Sequence, residues 1–195
     1  MVVRYAMFTT LFLMACVGGE PAQPEELPEP PDIACPEGTV LLSTLSTKGE
    51  EKWCDKGGVM HGPFLHHYPN GSKGTKGAYD TNVPDGDWIY WHDNGQEAKK
   101  GKYARGKQTG SWTWWHANGN RQEEGDFLAG RKAGQWTSWW EDGKKKEEGI
   151  YHNGMKNGSW TYYNDDEENT IQKVERWELG EMKESKETKP PPKPR

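Results

Sequence analysis

Aromatic residues and glycines recur along this chain with a period of 24 residues, and charged residues fill the intervals. Each unit starts at a glycine, and the five starting positions are Gly62, Gly86, Gly110, Gly134 and Gly158. The third position is always Trp or Phe, and the sixth is Trp or Tyr in every unit but the first. The aromatic arm ends in "PNG", "DNG", "ANG" or "EDG" in the first four units. A repeat of this kind predicts stacked, identical supersecondary elements.

The turn residues indicate that each unit is a β-hairpin. Asn-Gly and Asp-Gly pairs tolerate the positive φ angles of hairpin turns. The second arm, for example "QEAKKGKYARGK" at 96–107, returns as a charged strand and turns again at a glycine. Mid-strand glycines such as Gly101 leave room for a ring on a neighbouring strand. We therefore predict an all-β fold, an elongated single antiparallel sheet of stacked hairpins over 62–180, whose tryptophans replace an aliphatic core.

The chain begins with "MVVRYAMFTTLFLMAC", which has the features of an export signal. Arg4 precedes an apolar run that is too short for a transmembrane helix. The run ends in "LMAC", which resembles a bacterial lipoprotein signal and implies cleavage after residue 15 and a lipid on Cys16. An ordinary cleaved signal or a buried N-terminal segment is the alternative. Residues 16–33, rich in Pro and Glu, read as an extended tether, and the localisation implied is the cell envelope, with the outer membrane and its periplasmic side favoured.

The remaining cysteines, Cys35 and Cys54, form an even pair in a chain predicted to be exported, which indicates a disulfide. This pair bounds the segment 34–61, which we expect to cap the first repeat. The last repeat is acidic and irregular, and we expect it to protect the other edge of the sheet. The charged, Pro-containing tail at 181–195 is predicted to be disordered.

The repeated pattern G-x-W-x-x-W-x-x-N-G, followed by charged residues, G-x-Y and a turn, resembles the bacterial MORN-repeat variant across 62–180. The resemblance implies a sheet of successive hairpins and, for most members, a role as an interaction scaffold. Some MORN proteins are proposed to bind lipid, and one branch of the variant is antitoxin-like. No catalytic residue belongs to the motif, so none is carried over to this sequence.

Charge and spacing argue against several kinds of chemistry. The repeats hold 16 basic and 18 acidic residues, without the basic stripe that nucleic acid requires. His92 and His116 are equivalent positions of adjacent units, about 10 Å apart in a sheet, which is too far for one metal ion. Glu123 and Glu124 are strand neighbours and diverge, so they do not make a pair of hydrolytic acids. We expect no enzyme activity, metal site or cofactor.

The aromatic residues that the core does not need are the candidate binding surface. Third and sixth positions have odd separation, so their rings face opposite sides unless a bulge intervenes, and exposed aromatic rows mark binding sites. The candidates are Trp91, Trp114, Trp115, Trp139, Trp140 and Tyr163. The alternative, that these rings only pack the sheet, stays open. The favoured function is a lipid-anchored, non-enzymatic scaffold for an envelope protein, which meets the membrane only through its anchor. Glycan or peptidoglycan binding and antitoxin-like neutralisation are the alternatives, and an export signal does not suit an antitoxin.

Overall fold

The computed structural model describes residues 33–188, which form one open antiparallel sheet of 14 strands. The strands are β1 (Val40–Ser46), β2 (Gly49–Asp55), β3 (Met60–His67), β4 (Lys73–Asp80), β5 (Val83–Pro84), β6 (Gly86–Trp91), β7 (Glu97–Ala104), β8 (Lys107–Trp115), β9 (Arg121–Leu128), β10 (Arg131–Trp139), β11 (Lys145–His152), β12 (Met155–Tyr163), β13 (Ile171–Glu178) and β14 (Glu181–Glu187). Strand order follows chain order, with short β5 beside β4. The all-β prediction is confirmed. Between residues 33 and 188 there is no helix long and apolar enough to cross a membrane.

Two kinds of turn alternate along the sheet. The first kind joins β6 to β7, where the Gly95 N–H donates to the His92 carbonyl over 3.0 Å and Gly95 has a φ of 86°. The second joins β7 to β8, where Arg105 and Gly106 both have positive φ, at 50° and 76°, as in the type I′ hairpin turn. The Gly106 N–H also donates to the Pro84 carbonyl of the preceding unit over 2.9 Å. Turns at both margins of the sheet therefore set the hairpin register.

The core of the molecule is a ladder of tryptophans on one face of the sheet. Third-position Trp112 is completely buried, and it lies between Gly101 on β7 and Gly125 on β9. A Cβ atom added to Gly101 would lie 2.2 Å from the Trp112 ring, so only glycine fits beneath it. Trp88, Trp136 and Trp160 repeat the arrangement at 2–3% exposure. The prediction that mid-strand glycines accommodate rings is confirmed.

Second-arm aromatic residues tie these tryptophans together. Tyr103 contacts Trp112 edge to face with ring centroids 5.0 Å apart, and its ring also lies 5.8 Å from Trp88. Phe127 and Tyr151 connect the following tryptophans in the same way. Each such ring pair contributes about 0.5–1.5 kcal/mol beyond the burial of area. A single-layer sheet thus obtains a continuous core from rings that interlock between units.

The N-terminal segment predicted as a cap continues the sheet. Residues 34–61 contain the β1–β2 hairpin, and Trp53 of β2 pairs with Phe64 of β3. The Cys35–Cys54 disulfide is present, with Cα atoms 5.5 Å apart. Cys54 packs with Ile33 and Leu65 in a small aliphatic cluster. The 24-residue pattern did not predict this hairpin because it lacks the third-position aromatic residue that marks the other units.

The C-terminal tail differs from its prediction. Residues 181–195 were expected to be disordered, but Glu181–Glu187 form β14, which pairs with β13. A turn with positive φ at Leu179 and Gly180 directs the chain back, as at the other hairpins, and the β13 edge supplies hydrogen-bond partners. Charge alone therefore misled the prediction. The signal segment 1–15, Cys16, the tether up to residue 32 and the tail from 189 lie outside the described residues.

Candidate binding surfaces of the sheet

The predicted surface residues divide between the two faces of the sheet. We call Trp91, Trp115, Trp139 and Tyr163, all at the sixth position, the sixth-position row. A register shift lies between Trp114 and Trp115. The Trp115 ring is nevertheless on the face opposite Trp112, because the Lys100 ammonium lies over it and Lys100 pairs with Thr113, the neighbour of Trp112. All four rings of the row are partly exposed. The row is therefore an accessible aromatic surface on the face away from the ladder.

Charged side chains lie over the rings of the sixth-position row. The Lys100 ammonium is 4.8 Å from the centre of the Trp115 ring, and the Arg121 guanidinium is 6.0 Å from that of Trp139. The Tyr163 hydroxyl donates to Glu148 over 2.5 Å. Burial and this hydrogen bond raise the pKa of Tyr163 to about 12, so the phenol is neutral at physiological pH. The surface thus presents aromatic area with charges of both signs beside it.

Trp114 belongs to the ladder and not to the sixth-position row. Its ring centre lies 5.7 Å from those of both Trp112 and Trp136, on the face that carries the buried tryptophans. It fills the fifth position of its unit. The corresponding residues of the other units are His66, Tyr90, Ser138 and Tyr162. The six candidate residues consequently do not form one binding surface.

The histidines at the first kind of turn connect one unit to the next. His92 Nε2–H donates to the Trp115 carbonyl over 2.9 Å, and His116 Nε2–H donates to the Trp139 carbonyl over 3.1 Å. The Tyr68 hydroxyl makes the equivalent bond to Trp91. The spacing of His92 and His116 argued against a shared metal ion, but it did not reveal these hydrogen bonds between units. Their recurrence with Tyr68 at one unit position is the signal that could have revealed them.

A second tie runs parallel to the first, from Asn to a backbone carbonyl. Asn94 Nδ2 donates to Ala117 and Asn118 Nδ2 donates to Glu141, each over 2.7 Å. Both kinds of hydrogen bond stop in the fourth unit, where Trp140 replaces the histidine and Asp142, whose side chain has no N–H donor, replaces the asparagine. Within residues 33–188, Trp140 Nε1 has no hydrogen-bond partner. The fourth and fifth units are therefore joined differently from the units before them.

A cavity opens at this interruption, beside the turn that follows β10. It has a volume of about 780 Å³ and is open to solvent. We call it the Ser138 gap, because Ser138 is the only fifth-position residue without a ring. Its lining includes Trp139 of the sixth-position row, together with His116, Gln122, Glu123, Trp140, Glu147 and Asp165. Like Trp140 Nε1, the buried Ser138 Oγ has no hydrogen-bond partner among the described residues.

Lysines partly neutralise the carboxylates around the Ser138 gap. Lys132 forms a short ion pair with Glu123, and Lys156 lies 3.4 Å from Glu147. Lys146 rests 4.5 Å from the centre of the Trp140 ring. No group of three or more His, Cys, Asp or Glu side chains suited to a metal ion occurs in the described part of the chain. The arrangement offers hydrogen bonds, ring contacts and paired charges to a ligand.

Comparison with known proteins finds a family resemblance in the central hairpins. The model of the MORN repeat variant matches residues 108–129 and 132–153. The matched stretches begin 24 residues apart and correspond to the β8–β9 and β10–β11 hairpins. MORN repeats are generally modules of protein and membrane interaction. A search of curated proteins found no match.

Proposed function

We propose that this chain is an exported, lipid-anchored, non-enzymatic scaffold that binds another protein of the cell envelope through the sixth-position row. The observation that carries the proposal is the partial exposure of four aromatic rings in register on one face of the sheet. Aromatic residues are enriched at protein interfaces and dominate their energetics. Charges such as Lys100 and Glu148 beside the rings supply a polar rim.

The anchoring part of the proposal is supported by the sequence alone. "LMAC" ends a short apolar run, and the acidic, Pro-rich residues 17–32 separate Cys16 from the sheet. Cys16→Ser removes the thiol that would carry lipid, so we expect the variant to leave the membrane fraction. Fractionation of cells that express the wild type and the variant, with an antibody against the sheet, measures this. A variant that stays with the membranes contradicts lipid anchoring.

The binding part is tested with Trp115→Ala, a substitution in the middle of the sixth-position row. Because Trp115 is only half-buried and faces away from the Trp112 ladder, we expect the variant to fold. Leu128→Ala is the matched control, since Leu128 is an exposed apolar residue, at 68%, outside the row. The measurement is capture of a cross-linked envelope protein by each full chain. Loss with Trp115→Ala and retention with Leu128→Ala support the proposal, and equal capture by both contradicts it.

Glycan binding is the second candidate function, because regularly spaced exposed rings also suit the faces of sugars. Carboxylates near the row, such as Glu148, could accept hydrogen bonds from sugar hydroxyls. Co-sedimentation with purified peptidoglycan separates the two candidates. Pelleting of the wild type, lost in Trp115→Ala but kept in Leu128→Ala, favours the glycan. A supernatant protein that still captures its partner favours the scaffold.

A further inference from the structure

The sheet has two open edges, and their residues differ in charge. β14 forms one edge, and five of the seven residues in its sequence "EMKESKE" are Glu or Lys. β1 forms the other edge, and its sequence "VLLSTLS" holds no charged residue. Among the described residues, β2 is the only strand that pairs with β1. The outer row of backbone N–H and C=O groups on β1 is therefore a template for a further strand.

The charges of β14 prevent this edge from pairing with a second copy of itself. Full-length antiparallel pairing of two β14 strands would set Glu184 opposite Glu184 of the second copy, and Glu181 opposite Glu187. Like charges directly opposite each other destabilise a pair of strands. Lysines and glutamates of this kind are a common protection of free edges, and β1 has none of them.

β1 also exposes apolar side chains. Leu45 is 80% exposed, the highest value among the large hydrophobic residues of the described chain, and Val40 is 48% exposed. Leu41 lies on the same face of the strand as Leu45 and packs against the aliphatic cluster around Cys54. An uncharged edge beside exposed leucine is a surface for association.

The sequence of β1 matches a second copy of itself in one antiparallel register. With Ser43 opposite Ser43 of the second copy, Leu45 lies opposite Leu41, and no charged residue occurs at any paired position. Residues directly opposite each other share a face and have Cβ atoms about 4.5–5.5 Å apart. Each Leu45 therefore extends the Cys54 cluster of the other copy, and the two-fold symmetry makes this contact twice.

We propose that two copies of this chain pair through antiparallel β1 strands and form one continuous sheet with a two-fold axis at Ser43. The axis is perpendicular to the sheet, because antiparallel pairing of identical strands keeps equivalent residues on the same face. Both sixth-position rows consequently lie on one face of the doubled sheet. The pairing itself goes beyond the proposed function, and where that function holds it gives the scaffold two equivalent binding surfaces.

The position of the tether favours β1 over β14 as the edge at which two copies meet. Ile33, the first described residue, packs with Cys54, which pairs with Leu41 of β1. In the β1 pair both tethers start near the centre of the doubled sheet, so both reach one membrane. In a β14 pair they would start at its opposite ends. Pairing of β1 with β14 of another copy would not close and would grow into filaments. The tether argument rests on the proposed anchoring, and the charge argument does not.

The test is a disulfide across the two-fold axis. Ser43→Cys places two thiols at a directly opposite pair, whose Cα atoms are about 4.5–5.5 Å apart and within disulfide range. Thr44→Cys is the register control, because Thr44 lies opposite Leu42 of the second copy and about 7–8 Å from its own counterpart. Glu184→Cys is the edge control, at the equivalent central position of β14.

Each full-chain variant is oxidised in cells with diamide and separated on non-reducing gels, with detection by an antibody against the sheet. The wild type gives the background from Cys16. We expect a disulfide-linked dimer of two identical chains for Ser43→Cys, and only the background for Thr44→Cys and Glu184→Cys.

A second measurement uses the purified full chain without added cysteines. Leu45→Lys should lower the association constant of the dimer at least about tenfold, because two leucine contacts are lost from each dimer. Since Leu45 is exposed, the unfolding temperature of this variant should match that of the wild type. Leu128→Lys, at another exposed position away from β1, should leave the association unchanged. Sedimentation equilibrium in density-matched detergent measures the association constants.

The inference is wrong if Ser43→Cys gives no more dimer than the wild type, or if Thr44→Cys or Glu184→Cys gives as much as Ser43→Cys. A cross-link to a different protein would assign β1 to a foreign strand. Species that grow beyond a dimer with concentration would assign it to pairing with β14. Each of these outcomes leaves the membrane fractionation of Cys16→Ser and the capture through Trp115 unchanged, so failure of this inference is distinct from failure of the proposed function.

Discussion

The two ends of the sheet are closed by different chemistry. At the N-terminal end, a disulfide fixes Cys54 against Ile33 and Leu65 in an apolar cluster. At the C-terminal end, a buried carboxylate, Glu175, lies within a polar network on β13, beside the final, charged strand β14. Interior units need neither device, since each is covered by its neighbours. The interior hairpins therefore all pack in the same way, whereas each end of the sheet is closed by contacts of its own.

Glu175 shows why the C-terminal end needs a different solution. Trp160 pairs with Gly149 on one side and with Glu175 on the other. In the interior, such a glycine lies beneath the tryptophan of the following unit, but β14 has Ser185 opposite Glu175. With no following ring, the carboxylate fills the space and accepts hydrogen bonds from Tyr162, at 2.7 Å, and Trp177, at 3.0 Å. A polar side chain thus ends the ladder.

The largest expected effect comes from cutting the ladder between the two ends. Trp112→Ala removes a completely buried ring and should lower the free energy of unfolding by about 3–5 kcal/mol. Because a repeat protein is held by neighbour contacts, the N-terminal and C-terminal parts should then unfold in separate transitions. Urea unfolding followed by tryptophan fluorescence and by circular dichroism measures both effects.

Trp115→Ala is the control for that experiment, because it removes a half-buried ring from the opposite face. We expect it to cost about 1–2 kcal/mol and to leave a single transition. Equal losses for Trp112→Ala and Trp115→Ala would contradict the assignment of the core to one face. Coincident transitions in Trp112→Ala would mean that the ends remain coupled without the ladder.

The next largest effect should come from opening the N-terminal closure. The double variant Cys35→Ala/Cys54→Ala removes a bridge between residues 19 positions apart, which should lower the free energy of unfolding by about 3 kcal/mol in the chain-entropy account. The loss should fall mainly on β1 and β2. Hydrogen exchange, strand by strand, tests this. Unchanged protection of β1 and β2 would show that the aliphatic cluster closes this end without the disulfide.

The interior hairpins could be predicted from the sequence because the same residue types recur at the same positions of each unit. The 24-residue period, the turn glycines and the glycine beneath each ring were sufficient to predict the hairpins and the ladder. The strands at the two ends of the sheet could not be predicted in the same way. The β1–β2 hairpin lacks a third-position tryptophan, and β14 is formed by a charged segment whose pairing depends on the exposed edge of β13. The composition of a segment does not show whether the edge of another strand is free to pair with it.

The candidate site was predictable only in part, for a related reason. Alternation along a strand gave the two faces, so the separation of Trp115 from Trp112 followed from residue spacing. The Ser138 gap did not, because it arises from one small residue together with the changes at Trp140 and Asp142. Each change on its own resembles the ordinary variation between units. Their joint effect appears only when β9, β10 and β11 are placed side by side.

The smallest predicted effect concerns the charge of Glu175 at the C-terminal end of the sheet. Hydrogen bonds from Lys173, Tyr162 and Trp177 outweigh the effect of burial and lower the pKa of Glu175 below its usual 4.5. Glu175→Gln keeps the shape and removes the charge, so it should cost about 1 kcal/mol at neutral pH. Since the folded-state pKa is the lower one, the contribution of the charge is present above pH 4.5 and is lost as the pH falls through the folded pKa.

The free energies of unfolding of the wild type and Glu175→Gln should therefore converge as the pH is lowered below about 4.5. Urea titrations at a series of pH values measure the difference between the two proteins. Glu184→Gln is the control, because Glu184 is exposed on β14 and should give a difference near zero at every pH. A constant difference for Glu175→Gln would mean that the shape of the side chain, and not its charge, closes the ladder. The two ends would then be more alike than their residues suggest, each sealed by packing.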